Sequence, residues 1–279
     1  MFLEILKAIL YGIVEGITEW LPISSTGHLI LLKELVPLQV SDSFWTMFEV
    51  VIQLGAILAV IVLFFHKLNP FASDKPTRER RQTWDLWGRV IVAVLPAAVL
   101  GFLLDDWLNA HLYNYITVAV TLILYGVAFV VLERSHLRNA GTIQKTSGIT
   151  YRTALYVGLF QCLSMIPGTS RSGATILGAM LLGLSRTTAA EFSFFLAIPT
   201  MLGASLLKVV KFIQEGVGMT GAEAAILLVG CVTAFVVSLI AIRGLLNYVK
   251  KHTFSAFGVY RIGLGLLVLL YFLLVGRNA

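Results

Sequence analysis

The sequence predicts an all-α polytopic membrane protein with six transmembrane helices and two re-entrant helix-loop-helix hairpins. The chain has 279 residues, of which 58% are hydrophobic and 13% are charged, and its mean hydropathy is +0.87. Such a composition is far from that of soluble globular proteins. Several segments are also apolar enough, and about long enough, to cross a bilayer as helices. We therefore predict a single membrane domain that covers residues 1–279.

Two kinds of apolar segment alternate along the chain. Six uninterrupted spans are predicted at residues 44–65, 90–104, 116–132, 192–210, 224–242 and 257–275. Two further apolar segments, around residues 5–35 and 154–184, are interrupted by Pro, Gly and Ser. Because these residues end or distort a helix, neither segment is expected to cross the bilayer as one continuous helix. Both are predicted to be re-entrant hairpins.

The basic residues predict how the chain is oriented. The formal net charge is +6, but the cations are concentrated in three loops rather than spread over a surface, so we expect no nucleic-acid partner. The loops contain Lys67, Lys75, Arg78, Arg80, Arg81 and Arg89; then Arg134, Arg138, Lys145 and Arg152; then Arg243, Lys250 and Lys251. By the positive-inside rule these loops are cytoplasmic. Residues 105–115, which contain Asp105 and Asp106, are then external, and the two hairpins enter from opposite faces.

The two interrupted segments are related to each other as a repeat. A shift of the chain by 146 residues places Gly12 on Gly158, Glu15 on Gln161, Ser24 on Ser170 and Gly27 on Gly173. Each unit then holds one hairpin and three spans. Because the number of membrane crossings in a unit is odd, the second unit is inserted in the opposite orientation to the first. We predict an inverted-topology repeat with units at about residues 1–133 and 150–279. In such folds the interrupted helices meet near the bilayer midplane, so residues 24–28 and 169–173 are predicted to face each other.

The first hairpin has a dense set of polar groups. Glu15 and Glu19 are four residues apart, so a helix places both carboxylates on one face. Pro22 ends that helix, and the hydroxyl residues from Ser24 onwards are preferred at the start of the next one. Ser25 and His28 are three residues apart at this helix start, a spacing that suits a nucleophile and its base.

Together the two hairpins predict a site for a phosphate group. Two helix N-termini, a guanidinium and several hydroxyls favour an oxyanion. Carboxylates repel phosphate, so their presence suggests a bridging Mg²⁺ or Ca²⁺ or a proton-donating carboxyl group. The candidate phosphate ligands are Ser24, Thr26, Gly27, Gln53, Ser170, Ser172 and Arg171, and the candidate metal ligands are Glu15, Glu19 and Glu49.

Structural roles compete with these functional interpretations. Ser24, Ser170 and Ser172 suit helix capping as well as binding. Gly12 and Gly16 are typical of close helix packing. Glu191 is near Arg186 in the sequence, and a structural interpretation is that the two form an ion pair. The buried carboxylates and Arg171 favour function, because ionisable groups inside a membrane are costly to bury.

Two motifs carry a resemblance to a known family. EGITEWLPISSTGH at residues 15–28 and PGTSRSGAT at residues 167–175 resemble the undecaprenyl-pyrophosphate phosphatases, also called the bacitracin-resistance proteins. FEVVIQLGAILAV at residues 48–60 and EFSF at residues 191–194 are similar too, and the resemblance covers essentially the whole chain. It implies a bacterial inner-membrane enzyme that hydrolyses the C55 isoprenyl diphosphate to the monophosphate and inorganic phosphate. That reaction recycles the lipid carrier of peptidoglycan synthesis and gives bacitracin resistance.

The resemblance also implies residue roles. Glu15 and Glu19 would hold the divalent ion or shuttle protons, Ser25 would attack the distal phosphorus, and His28 would be its base. Arg171 would clamp the phosphates in a site that opens to the periplasm. In an alternative, His28 forms a phosphohistidine and Ser25 only orients the phosphate.

Two other functions are compatible with the predicted fold. Inverted repeats with broken helices are usual in secondary transporters, so a lipid transporter or flippase is the alternative. A structural scaffold would leave the buried carboxylates unexplained. Gly263 and Gly265 suggest close helix contacts near the C-terminus and hence a homodimer, with membrane lipids as the other partners.

Overall fold

The computed structural model describes residues 1–135, 141–216 and 218–274. Within these residues the chain is almost entirely helical, as predicted. The α-helices are α1 Phe2–Thr18, α2 Ser25–Leu35, α3 Asp42–Val51, α4 Gln53–Leu63, α5 Phe65–Leu68, α6 Thr77–Leu112, α7 Tyr115–Arg134, α8 Tyr151–Cys162, α9 Arg171–Leu181, α10 Arg186–Gln214, α11 Gly221–Lys251 and α12 Ser255–Leu274. Short 3₁₀ turns lie at Thr146–Gly148 and Leu163–Met165.

The predicted number of membrane spans is confirmed. In the described part of the chain, six helical stretches are long and apolar enough to cross a bilayer, and together they include α3 with α4, most of α6, and α7, α10, α11 and α12. None of α1, α2, α8 and α9 is among them, since the longest of the four has 17 residues. Their re-entrant path and the inverted orientation of the two halves stay predictions.

Several helices extend further than the sequence predicted. Helix α6 begins at Thr77 and continues to Leu112, so both the basic segment before residue 90 and most of the predicted external loop are helical. Helix α11 likewise continues to Lys251. Arg, Lys, Glu and Leu are good helix formers, and hydropathy locates only the apolar part of a helix. Arg138, in the second predicted basic loop, and Val275, at the predicted end of the last span, fall outside the described residues.

Both hairpins are helix, break and helix, as predicted. Helix α1 ends at Thr18, and α2 starts after a first break, residues 19–24; α8 ends at Cys162, and α9 starts after a second break, residues 163–170. The N-caps Ser24 and Ser170 have φ angles of 74° and 71°, and their hydroxyls accept hydrogen bonds from the amides of Gly27 and Gly173. Two positions 146 residues apart in the sequence therefore share one unusual local structure.

The contacts between helices also follow the order of the predicted repeat. Helix α1 packs along α11 and α8 packs along α6, while α7 pairs with α12. A Cβ atom added at Gly12 would lie 2.6 Å from the carbonyl oxygen of Gly230, and one at Gly158 would collide with the carbonyl of Ala93. These glycines let two backbones approach closely, which confirms the packing interpretation of Gly12.

Substitution of Gly12 tests this packing. We expect Gly12→Ala to lower the free energy of unfolding by roughly 1 to 3 kcal/mol, because the new methyl group must displace the α11 backbone. Gly244→Ala is the matched control, because no atom lies within 4 Å of its added Cβ and alanine is favoured over glycine in a helix. Thermal unfolding in detergent measures both, and equal melting temperatures for the two variants would contradict the close approach.

Ion pairs join several helix ends at one end of the bundle. Arg186 donates from Nε and Nη2 to the carboxylate of Glu133 at 2.8 and 2.6 Å, and Glu191 pairs with Lys67 at 2.7 Å. The predicted pairing of Glu191 with Arg186 is therefore wrong. The cause is the position of Glu133 at the C-terminal end of α7, which lies closer to the start of α10.

The glycines of α12 give no support for a dimer. Gly265 faces α7 of its own chain, where an added Cβ would lie 2.8 Å from the carbonyl oxygen of Ala119. Gly263 has open space around it. A homodimer stays a prediction.

Candidate active site

The carboxylate of Glu19 connects the two breaks. Ser25 Oγ donates a hydrogen bond to Glu19 Oε2 at 2.7 Å, and Arg171 Nη2 donates to Glu19 Oε1 at 3.0 Å. Glu19 is 5% exposed and Ser25 is 7% exposed. The tips of the two hairpins therefore meet, and Ser25 and Arg171 share one buried cluster with the acid between them.

Further hydrogen bonds hold the second break against the first. Ser172 Oγ donates to the carbonyl oxygens of Glu19 and Leu21 at 3.0 and 3.2 Å. Arg171 Nη1 donates to the carbonyl and the hydroxyl oxygen of Ser193 on α10, at 2.7 and 3.3 Å. Ser193 was not among the predicted site residues, although it lies in the family-like stretch at residues 191–194.

His28 does not pair with Ser25 in this structure. Its Nε2 lies 2.7 Å from Tyr260 Oη and its Nδ1 lies 2.7 Å from the carbonyl oxygen of Ser24, and its ring stacks on that of Tyr260. A separation of three residues leaves two side chains about 60° apart around a helix axis, so Ser25 faces the end of α1 while His28 faces α12. The group that accepts the hydrogen bond of the Ser25 hydroxyl is instead the carboxylate of Glu19.

Buried polar atoms without partners are concentrated here. Among the described residues, seven buried side-chain nitrogen and oxygen atoms have no hydrogen-bond partner, and five of them belong to Glu15, Trp20, Thr169 and Arg171. Both oxygens of the fully buried Glu15 are among them. Such atoms are costly inside a membrane protein, and their concentration at the two breaks is typical of a site that binds a polar ligand.

The metal prediction is only partly compatible with the geometry. The described part of the chain contains no group of three or more His, Cys, Asp or Glu residues that could hold a metal ion. Glu49 instead accepts a hydrogen bond from Tyr113 Oη at 3.3 Å. Glu15 and Glu19 lie one helical turn apart at the end of α1, where the Glu19 amide donates to the Glu15 carbonyl. One or two carboxylates plus substrate phosphates form the usual Mg²⁺ site, so Glu15 and Glu19 fit a divalent ion.

The other predicted phosphate ligands divide into two groups. Ser24, Ser170, Gly27 and Gly173 make the hydrogen bonds that cap α2 and α9, and Ser170 Oγ lies 3.1 Å from Ser172 Oγ. Thr26 and Gln53 are half-buried, and no hydrogen bond joins either to the residues of this cluster in the described chain. Gln53 begins α4.

Two residues of α12 lie at this region although neither was among the predicted site residues. Tyr260 contacts His28, and the neighbouring Arg261 is fully buried. An arginine within an apolar span is itself a signal of function, but residues 257–275 were interpreted only as a membrane span.

The chain is similar to known proteins along nearly its whole length. The family model for the bacitracin resistance protein BacA matches residues 8–267. The undecaprenyl-diphosphatase of Streptococcus mutans serotype c is 58% identical over 97% of this chain and 97% of its own. Proteins of the same name from Lactiplantibacillus plantarum and Enterococcus faecalis are 56% and 55% identical, each over 98% of this chain and 99% of its own. The chain therefore belongs to the bacitracin resistance protein BacA family.

Proposed function

We propose that this protein hydrolyses undecaprenyl diphosphate to undecaprenyl phosphate and inorganic phosphate. The reaction returns the lipid carrier to peptidoglycan synthesis and gives bacitracin resistance. The observation that supports it best is the buried Glu19 carboxylate, which accepts from the Ser25 hydroxyl and from the Arg171 guanidinium. A hydroxyl nucleophile, a base and a phosphate clamp are the parts that phosphoryl transfer needs.

The geometry supports a two-step mechanism. Ser25 Oγ attacks the distal phosphorus while its proton passes to Glu19, the bond from that phosphorus to the bridging oxygen breaks, and undecaprenyl phosphate leaves. Water then attacks the phosphoserine, and the bond from phosphorus to Ser25 Oγ breaks. Glu19 returns its proton to Ser25 Oγ, so inorganic phosphate leaves and the Ser25 hydroxyl is restored. Arg171 stabilises the charge on the transferred phosphoryl group. His28 is held by Tyr260 of α12 and makes no hydrogen bond to Ser25 in the described chain. In the alternative mechanism His28 is the nucleophile, and that alternative predicts a phosphohistidine.

A divalent cation, Mg²⁺ or Ca²⁺, completes the proposed site. Glu15 and Glu19 would hold it, and it would neutralise negative charge on the phosphates of the substrate. The unpaired oxygens of Glu15 support this assignment.

The charges at the helix ends support a proposal for the location and orientation. Basic residues lie at the start of α6, at the end of α7 and at the end of α11, and the positive-inside rule makes these ends cytoplasmic. We propose that the protein lies in the bacterial cytoplasmic membrane with its active site open to the periplasmic side.

A phosphate-release assay tests the proposal. Detergent-purified protein is expected to release phosphate from farnesyl diphosphate, to lose at least about 90% of that activity in EDTA, and to regain it with Mg²⁺ or Ca²⁺. Isothermal titration of the two ions against the wild type and Glu15→Gln measures metal binding independently of activity. Unchanged hydrolysis in EDTA would contradict the metal, and lipid transport without phosphate release would favour the transporter alternative.

A further inference from the structure

Arg261 lies within α12 and is fully buried. Each hydrogen bond that its guanidinium donates within the described chain goes to a backbone carbonyl oxygen, and no carboxylate there forms a salt bridge with it. A buried cation without an acidic partner is unusual, because its charge must be compensated by other polar groups. Three of those carbonyls lie in the two breaks.

The guanidinium contacts both breaks. Nη2 donates to the carbonyl oxygens of Gly168 and Thr169, each at 2.9 Å, in the second break. Nη1 donates to the carbonyl oxygen of Pro22 at 3.1 Å, in the first break. Longer contacts, at 3.4 and 3.5 Å, reach the carbonyls of Leu122 and Thr121 on α7. One side chain therefore connects two segments that are about 146 residues apart in sequence.

These carbonyls lie where the backbone is irregular. Backbone groups that no helix satisfies need another partner inside a membrane protein. The positive φ angles at Ser24 and Ser170 are conformations that persist only when surrounding contacts enforce them. Arg261 binds the carbonyl of Pro22, two residues before Ser24, and the carbonyl of Thr169, directly before Ser170. Its hydrogen bonds therefore lie beside the two residues whose backbone conformation must be held in place.

The shape of the guanidinium matters for this role. Arginine presents five donors in a rigid planar arrangement, whereas lysine has a single ammonium group. The guanidinium also lies against the first turn of α9, since a Cβ added at Gly173 would be 2.9 Å from Nη1. Helix α9 begins with Arg171, so the two carbonyls that Arg261 binds in the second break lie just before the Arg171 backbone.

We propose that Arg261 is a positioning residue for hydrolysis. By binding carbonyls of both breaks it fixes the separation at which Glu19 reaches Ser25 and Arg171 together. This inference rests on the proposed function, and it gives Arg261 no contact with the phosphates.

The test compares Arg261→Lys with Val268→Ala. Val268 is also fully buried on α12 and packs on Val118, Ala119 and Leu122 of α7, so its truncation weakens the same helix pair without touching either break. We expect Arg261→Lys to lower kcat by about 10²-fold with KM changed less than about threefold, because small misplacements of reacting groups are costly. Val268→Ala is expected to lower the melting temperature but to keep kcat within about twofold.

A binding measurement separates positioning from loss of fold. Stoichiometric binding of a non-hydrolysable isoprenyl diphosphonate by Arg261→Lys is expected, and a loss of binding sites that matches the loss of kcat would overturn the proposal. Wild-type kcat in Arg261→Lys would overturn it as well. If that variant does not fold, Gly173→Ala, which displaces the guanidinium, is expected to lower kcat by at least about tenfold, and wild-type kcat there is the overturning result. Absence of phosphate release from the wild type would instead contradict the proposed function.

Discussion

Replacement of Ser25 with alanine is expected to lower phosphate release by roughly 10³-fold or more, while the affinity for the lipid diphosphate changes less than about threefold. The hydroxyl donates its hydrogen bond to Glu19 at 2.7 Å, so its removal deletes the proposed nucleophile and leaves the base, Arg171 and the ion site in place. Single-turnover phosphate release and equilibrium binding of a diphosphonate lipid measure the two quantities.

The control for Ser25→Ala is Thr18→Val. Thr18 is next to Glu19 in the chain, but among the described residues its hydroxyl donates only to the carbonyl of Val14 in its own helix. Activity within about threefold of the wild type is therefore expected. Two results would remove Ser25 from its role: robust turnover by Ser25→Ala, or radioactive phosphate trapped on His28 of the wild type.

Arg171→Lys is expected to lower kcat/KM by about 10²-fold. The two terminal nitrogens of Arg171 bind different partners, Glu19 and Ser193, while its buried Nε has no partner among the described residues. A lysine ammonium cannot occupy these positions together, because it is a single charged centre without the planar geometry. The variant therefore retains the positive charge but loses the planar set of donors that the guanidinium provides.

Arg152→Lys is the matched control for this substitution. Arg152 lies on α8, and its Nη2 is 3.5 Å from Tyr156 Oη, an exposed contact, so kinetics within about twofold of the wild type are expected. Steady-state assays at several lipid concentrations separate kcat from KM. If Arg171→Lys also behaves like the wild type, Arg171 does not bind the transferred phosphoryl group.

The breaks could be predicted from the sequence because their signals are local. Pro22 lies in the break after one helix and Ser24 caps the next, and the internal repeat then indicated that Ser25 and Arg171 meet. The partners of individual side chains could not be predicted in this way. Whether Ser25 faces His28 or Glu19 depends on how α2 is rotated against α1, and the position of the His28 ring depends on Tyr260, 232 residues away.

The contacts of Arg261 with the two breaks could not be predicted from the sequence for a different reason. Its neighbours are apolar, so hydropathy describes the segment correctly as a span and gives no indication of the five carbonyls that surround the guanidinium. The start of α6 was missed for a related reason, since the arginines and the glutamate there favour helix but have no hydropathy signal.

The shared conformation of Ser24 and Ser170 bears on what each half of the chain could do alone. Under the predicted repeat, the two halves share one cap conformation but not one chemistry, because position 15 is a glutamate and its counterpart at position 161 is a glutamine. A half-length chain would then supply either the acid and the hydroxyl or the guanidinium, and it would need a second copy of opposite orientation to complete the proposed catalytic centre.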